Sequence, residues 1–560
     1  MSSGNHKRKR SERVASLELP PGGFLRTVGL LRRRMVLGRL ALCFFAAFIL
    51  WFITSGWEPP FAYREDDILQ REVVARADFQ RPNQGKVYKK HAIISEVKVG
   101  IPISAEAHQL LRSEHDAVMK KRNAWEKIAY AFGSFGMYVA ISVLCGFAIY
   151  HWQPELLINL RKYGTLLLLF VLAIASSWSL ANWKCELTPL VLFGIIASIA
   201  YQRELALILS AVVSLVIILS LGQGLATFVV FTATAATAIQ LSGKIRSRTK
   251  LLHVGTVAAL VAMATTLGVG SMAEQPASME LIKNAAMYGM CTILAALVMI
   301  GFLPIVERLL DVQTEISLLE LGDTAHPLLQ ELVRRAPGTY NHSINVASIA
   351  EAAAESIGVN GLLVRVGAYF HDIGKMFKPG YFVENQGQED NRHESLMPAM
   401  STIVIIAHVK DGADLARQHH LPQILIDFIE QHHGTTLVEY FYDQAKGKSE
   451  ENPDSGDVDE RTFRYPGPRP RSKEAGVLML ADAVESASRA LVDPAPARIE
   501  NLVEEMAMKR LLDGQFDECN LTLAELRTVQ NSLVKSLIAV YHGRVKYPDH
   551  QHAASSFQHD

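Results

Sequence analysis

Charged residues are scarce in this chain: Asp, Glu, Lys and Arg make up only 20% of its 560 residues, against 49% hydrophobic. With a mean hydropathy of +0.14, a solvated disordered chain is excluded, because such chains combine low apolar content with high charge. Neither sign dominates, since 56 Lys and Arg balance 56 Asp and Glu. That zero averages unlike parts: residues 1 to 40 hold ten Lys/Arg and two Glu, while 449 to 460 carry an acidic run. Net charge therefore identifies no partner. Cysteine is sparse as well, with five residues at 43, 145, 185, 291 and 519 and no C-x-x-C spacing. This excludes a zinc ribbon or a disulfide-stapled secreted module, and most of the five read as small packing residues in apolar runs. After residue 310 there is no G-x-G-x-x-G or G-x-x-x-x-G-K-[ST] phosphate loop and no β-rich run of the kind a βαβ array needs.

Long apolar runs are what the chain does have. A helix needs about 20 apolar residues to cross a bilayer, because lipid offers no partner to unpaired backbone groups. Runs of this kind fall at 35–53, 129–150, 164–182, 187–201, 204–221, 224–241, 251–272 and 285–305, with the boundary inside 187–221 the weakest. The first follows Arg32, Arg33 and Arg34, has no small-x-small cleavage site after it, and ends among Trp51 and Trp57, so it reads as a retained anchor with interfacial tryptophans. Threading eight helices alternately puts the basic N-terminus, Arg161, Lys162, Arg203, Lys244, Arg246, Arg248 and Lys250 on one side, the cytoplasmic one. The expected organisation is a basic tail at 1–34, an anchor at 35–53, an extracytoplasmic segment at 54–127, a seven-helix membrane domain at 128–308, a cytoplasmic domain at 309–545 and a disordered tail at 546–560. The extracytoplasmic segment mixes β-like pieces such as Ile93–Ile103 with a polar helix at 105–121; it is a spacer or a ligand sensor.

The cytoplasmic part reads as all-α, with helical apolar spacing at 326–335, 340–357, 361–372, 398–417, 422–432, 474–490, 494–512 and 522–541. Its chemistry is concentrated in His342, His371, Asp372, His408, His432, His433 and Asp482. A lone helix histidine is usually structural. Seven candidate donors flanked by apolar sequence point to a metal centre, and imidazole with carboxylate suits Mn, Fe or Zn. Seven donors exceed the needs of one ion with an open position; two ions sharing a carboxylate would use them all and promote phosphate-ester hydrolysis.

The series His342, His371-Asp372-Ile373-Gly374-Lys375 and Asp482 resembles the HD-domain metal-dependent phosphohydrolase superfamily. The stretches APGTYNHS at 336–343, FHDIGKMFKPGYFVENQ at 370–386, IIAHVKDG at 405–412, IEQHHGTTLVEYFY at 429–442 and YPGPRPRSKEAGVLMLADAVESASR at 465–489 narrow the resemblance to the 7TM-HD family, which includes PgpH-type cyclic-di-AMP phosphodiesterases. The resemblance covers roughly 129–545. It implies an all-α protein, a multi-pass transmembrane bundle followed by a helical HD domain, in a bacterial inner membrane. It also implies two Mn or Fe ions, one on His342, His371, Asp372 and Asp482, the other on Asp372, His408, His432 and His433. The implied activity is hydrolysis of a cyclic dinucleotide, cyclic-di-AMP to pApA, by a hydroxide bridging the ions. The alternatives are another nucleotide, such as cyclic-di-GMP or ppGpp, or a membrane receptor that binds a nucleotide without turnover. The partners implied are the dinucleotide and the lipid bilayer, with no nucleic-acid polymer and with homo-oligomers left open. The sequence departs from the family at Asn391-Arg392-His393-Glu394, where a Pro and an Asp are usual, and in its short extracytoplasmic segment.

Among other residues, Lys375 falls on the face of His371 and Asp372 if the helix continues. It then contacts a scissile phosphate or forms a salt bridge to a ligand carboxylate. Arg469, Arg471 and Lys473 offer a basic edge for substrate phosphates, or a solvated strip. Glu485 and Arg489 read as a pair orienting a metal ligand. Residues 376–394 read as a flap or an ordinary loop.

Overall fold

The computed structural model describes residues 34–69, 72–81, 87–243, 245–273, 275, 278–386, 391–451, 457–491 and 494–542. The basic tail up to residue 33, Lys244, the tail at 546–560, residues 387–390 of the expected flap and 452–456 of the acidic run lie outside them. The chain divides into two compact units, Met1–Val312 and Gln313–Asp560, close to the expected boundary at 308/309.

In the first unit, α1 (Arg34–Ile53) is followed by two short antiparallel strands, β1 (Phe79–Gln80) and β2 (Val87–Tyr88), and then by α2 (Ala105–Lys121). The remaining helices are α3 (Ala124–Trp152), α4 (Glu155–Ile158), α5 (Leu160–Leu180), α6 (Leu187–Ala200), α7 (Arg203–Leu221), α8 (Leu225–Ser242), α9 (Arg248–Met272) and α10 (Met279–Leu310). Among the described residues, seven helices (α1, α3, α5, α7, α8, α9 and α10) are long and apolar enough to cross a membrane. All eight apolar runs are helical, but α6 has only 14 residues, about 21 Å of helix against about 30 Å of hydrocarbon. Its residues from Leu187 to Val191 and from Phe193 to Ala197 are buried against other helices, so its length is not matched to lipid. Close approach of α9 and α10 relies on small residues: a Cβ on Gly255 would stand 2.4 Å from that of Ala296.

The described residues between 54 and 123 form a small module with its own core, including Phe79, Tyr88, Ile94, Leu110 and Leu111. The expected polar helix is α2, capped by Ser104 accepting from the Ala107 amide. The β-like reading of 93–103 is corrected: this stretch makes only isolated bridges, Val74 to Ile93 and Ile68 to Pro102. Its apolar residues are spent on the module core rather than on a ladder.

The second unit contains α11 (Glu315–Leu321), α12 (Pro327–Arg335), α13 (Pro337–Ser356), α14 (Gly361–Phe370), α15 (Pro398–Gln418), α16 (Gln423–Gln431), α17 (Glu439–Glu451), α18 (Lys473–Ser488), α19 (Pro496–Leu512) and α20 (Leu523–His542). It is all-α, as expected. Buried alanines at 347, 350, 353 and 354 let α13 lie closely against α14, α18 and α20. Between α14 and α15 the chain makes 3-10 turns at Ile373–Phe377, Pro379–Tyr381 and Val383–Asn385.

Candidate metal centre

Each expected donor stands at a defined point of this helical frame. His342 is on the first turns of α13, which opens with Pro337 at its N-terminus. His371 caps the C-terminus of α14 and Asp372 follows it; His432 likewise caps α16 and His433 follows. His408 lies on α15 and Asp482 on α18. A close backbone contact fixes α15 against the Asp372 turn: a Cβ on Gly374 would lie 1.9 Å from the His408 carbonyl oxygen. Glycine is required there by space.

The seven residues converge. Donor atoms of Asp372, His408, His432 and His433 form one group and those of His342, His371 and Asp482 another, each within 4.8 Å. Asp372 faces both. Its Oδ2 is 3.1 Å from His371 Nε2 and 3.7 Å from His342 Nε2, while its Oδ1 is 3.3 Å from His408 Nε2 and 3.6 Å from His432 Nε2. Asp482 Oδ1 is 2.9 Å from His342 Nε2 and 3.7 Å from His371 Nε2, and its Oδ2 is 3.8 Å from His433 Nδ1. All but His433, whose side chain is 22% exposed, are buried.

The imidazoles are held in one orientation. His371, His408 and His432 each place Nδ1 against the carbonyl three residues back, Ala368 at 2.7 Å, Ile405 at 2.6 Å and Ile429 at 2.8 Å. A carbonyl only accepts, so Nδ1 carries a proton in each, and in the neutral, ligand form of the ring Nε2 presents its lone pair inward. His342 Nδ1 lies 2.6 Å from Glu485 Oε2, and Arg489 Nη2 holds the other oxygen of Glu485 at 2.6 Å. The expected orienting role of Glu485 and Arg489 thus has its geometry. Buried His371 Nε2 and Asp372 Oδ1 have no hydrogen-bond partner, and His408 Nε2 faces His432 Nε2 at 3.3 Å. Two inward lone pairs at that distance repel unless a cation lies between them, so the donor set fits divalent metal binding.

Electrostatics agree with a cation site. Burial opposes the charged form of His371, but Asp372 and Asp482 outweigh it and push the pKa up to about 10. Burial likewise works against ionised Asp372, yet His371 and Lys375 hold it well below the usual carboxylate range; for Asp482, His342 and His371 do so. Desolvation together with His432 pushes His433 well below its ordinary value.

The expectations for cations are met unevenly. Lys375 reaches Asp372 Oδ2 at 2.7 Å and Glu384 Oε1 at 2.9 Å, so it is a salt-bridged residue. It stands on a 3-10 turn and not on a continued helix; residues three apart eclipse on such a turn, which preserves the Asp372 contact. Glu384 also accepts from the Thr339 hydroxyl at 3.0 Å, tying residues 383–385 to α13. Arg469, Arg471 and Lys473 face carboxylates, Asp517 at 3.2 Å, Glu518 at 3.6 Å and Glu525 at 2.5 Å. His393 is a packing residue, with Nε2 donating to the Tyr381 carbonyl at 2.8 Å.

Arg510 on α19 escaped the sequence reading. Desolvation depresses its pKa against the pull of Asp482, Glu439, Asp513 and Tyr465, and its buried Nε is unpartnered. Tyr465, whose ring centroid is 4.4 Å from that of His433, is the aromatic neighbour it shares with the centre. In sequence Arg510 sits in a Lys509-Arg510 pair at a helix end, where a basic residue is ordinary; no local signal singles it out.

Comparison with known proteins follows the same division. Residues 128–314 match a family described as 7TM receptor with intracellular HD hydrolase, and residues 339–487 match the HD domain. A Bacillus subtilis protein named cyclic-di-AMP phosphodiesterase PgpH is 36% identical over 404 residues, covering 69% of this chain and 55% of the relative. A Listeria monocytogenes protein of the same name is 45% identical over 250 residues, covering 45% of this chain and 34% of the relative. The chain therefore spans about half or less of the relatives it matches. The crystal structure of the L. monocytogenes PgpH HD domain in complex with cyclic-di-AMP is 46% identical, with all of that chain and 39% of this one covered and a TM-score of 0.37.

Proposed function

Because this chain is recognised as a 7TM-HD family protein, joining a 7TM-7TMR_HD membrane region to an HD domain, we propose that it is a membrane-bound, metal-dependent phosphodiesterase. Its substrate in this reading is a cyclic dinucleotide, cyclic-di-AMP, and its product linear pApA; the names of its Bacillus and Listeria relatives favour adenine. The carrying observation is the convergence of seven donors into two groups that share Asp372.

The residues that would hold two ions, Mn or Fe on this reading, are His342, His371, Asp372 and Asp482 on one side and Asp372, His408, His432 and His433 on the other. When bound, such a pair acidifies a water and neutralises charge growing on phosphoryl oxygens. The chain's own residues prepare this. Three helix carbonyls and Glu485 fix the imidazole tautomers. Lys375 holds the Asp372 carboxylate in place and keeps it ionised. Arg510, a half-buried cation whose Nε is buried without a partner, is the group that would meet a substrate phosphate; Arg469, Arg471 and Lys473 would have to exchange a carboxylate partner to do so. The basic-loop bias and the short polar segment at 54–123 support an inner-membrane location with the HD domain in the cytoplasm.

The test uses the full chain in detergent or nanodiscs, loaded with Mn or Fe(II) and offered cyclic-di-AMP, cyclic-di-GMP and ppGpp, with products separated by chromatography. The expected result is pApA from cyclic-di-AMP and its loss in Asp372→Ala. Firm nucleotide binding without turnover by the metal-loaded chain would overturn it.

A further inference from the structure

We infer that Cys185 and Cys291 are a disulfide site at the extracytoplasmic end of the membrane bundle. The two thiols, 106 residues apart in sequence, stand with Sγ atoms 3.2 Å apart. A disulfide bond is about 2.05 Å long, so side-chain rotation of little more than 1 Å closes it. No C-x-x-C spacing marks the pair; only the fold brings it together.

The surroundings hold the pair in reach. Cys185 belongs to the turn between α5 and α6, Cys291 to α10. That turn and the start of α6 are pinned on α10: Lys184 Nζ donates to Asn284 Oδ1 at 3.2 Å, and Thr188 Oγ1 on α6 donates to the Cys291 carbonyl at 2.9 Å. The same turn receives the module of residues 54–123 through Arg64–Glu186 at 2.8 Å and Lys184–Asp67 at 3.4 Å. Cys185, half-buried, lines a cavity of about 1200 Å³ with Arg64, His108, Trp178, Lys184 and Met287, so a small thiol reagent has a route to it. The site rests on the orientation proposed above, in which this end faces the oxidising compartment where disulfides persist.

The chemistry is thiol–disulfide exchange with a disulfide donor. A thiolate of the pair attacks one donor sulfur, and the second thiolate then attacks the mixed disulfide and forms the Cys185–Cys291 bond. The two protons and two electrons leave with the donor as two thiols. The product ties the Glu186 turn covalently to α10 and fixes the bed on which the 54–123 module rests.

The experiment counts thiols on the full chain in membranes, from a bacterial host and again after incubation with oxidised glutathione. After denaturation, a mass-tagging maleimide should find three thiols without reductant and five with it. Cys185→Ser and Cys291→Ser should each show four under both conditions, and mass spectrometry should identify the 185–291 linked peptide. Five reactive thiols after the glutathione treatment, or a bridge involving Cys43, Cys145 or Cys519, would overturn the site. A membrane-impermeant maleimide applied to spheroplasts and to inverted vesicles separates this failure from one of orientation: in reduced protein Cys185 should label only in spheroplasts, and labelling only in inverted vesicles would refute the orientation and with it the site.

Discussion

Replacing Gly374 by alanine is expected to dismantle half of the metal centre without touching a donor. The new Cβ would stand 1.9 Å from the His408 carbonyl oxygen and 2.6 Å from the Gly412 amide nitrogen, where ordinary contact begins near 3.4 Å. Both obstacles are backbone, so no side chain can swing aside; α15 or the Asp372 turn must retreat by about 1.5 Å. His408 rides on α15, with Nε2 3.3 Å from Asp372 Oδ1, and metal sites tolerate displacements of only about 0.2 Å. The second donor group should therefore fail, leaving one tightly held metal per chain where the parent, on the proposed reading, holds two. Overpacking of this kind costs about 1–3 kcal/mol, roughly 2–12 °C in the melting temperature of a unit this size. Turnover should fall at least about 100-fold, as for an ångström-scale misplacement. Metal counting by mass spectrometry, a melting curve and the hydrolysis assay measure the three effects. Gly380→Ala is the control: its Cβ meets only the flexible Arg392 guanidinium, at 2.9 Å. A Gly374→Ala protein that holds two metals and turns over at the parental rate would refute the reasoning.

Other perturbations separate the remaining parts. Glu485→Gln should keep the fold but lower metal affinity about 10- to 100-fold, read by chelator competition, because His342 loses a charged partner; unchanged affinity would leave Glu485 a packing residue. Arg510→Gln should raise KM for the dinucleotide about 10- to 100-fold, the equivalent of one charge-assisted hydrogen bond of about 1.5–3 kcal/mol, while Arg471→Gln, an exposed partner of Glu518, should change it little. In the metal-free protein, His371 is raised from 6.5 to about 10, so its stabilising contribution is full below pH 6.5 and is lost as pH rises through about 10. Its melting temperature should decline over that window, and Mn should flatten the decline because the ligand form is the neutral imidazole; parallel profiles with and without metal would contradict this.

Long periodic segments were legible in the sequence, and local reversals were not. The expected helix at 398–417 is α15, Pro398–Gln418, and that at 494–512 is α19, Pro496–Leu512, because apolar spacing and proline starts speak for themselves. α17 was missed, since Glu439–Glu451 has a single buried residue, Phe441, and hence little apolar period. The seven residues that converge in the two donor groups were legible through their clustering in motif stretches. The ion pairs of Arg469, Arg471 and Lys473 were not legible because their carboxylate partners lie at 517–525, about 50 residues away in sequence. Arg510 was invisible for the opposite reason: what marks it is the lack of a partner.

His371 and His432 complete their helices with a ring N–H, each giving its proton to a carbonyl of the final turn that the helix itself leaves unfilled. The aim of these imidazoles is thus inherited from the main chain. Fraying the last turn of α14 or α16 would let the ring flip its tautomer, so the proposed centre can be silenced from the helix ends while every donor side chain stays in the sequence.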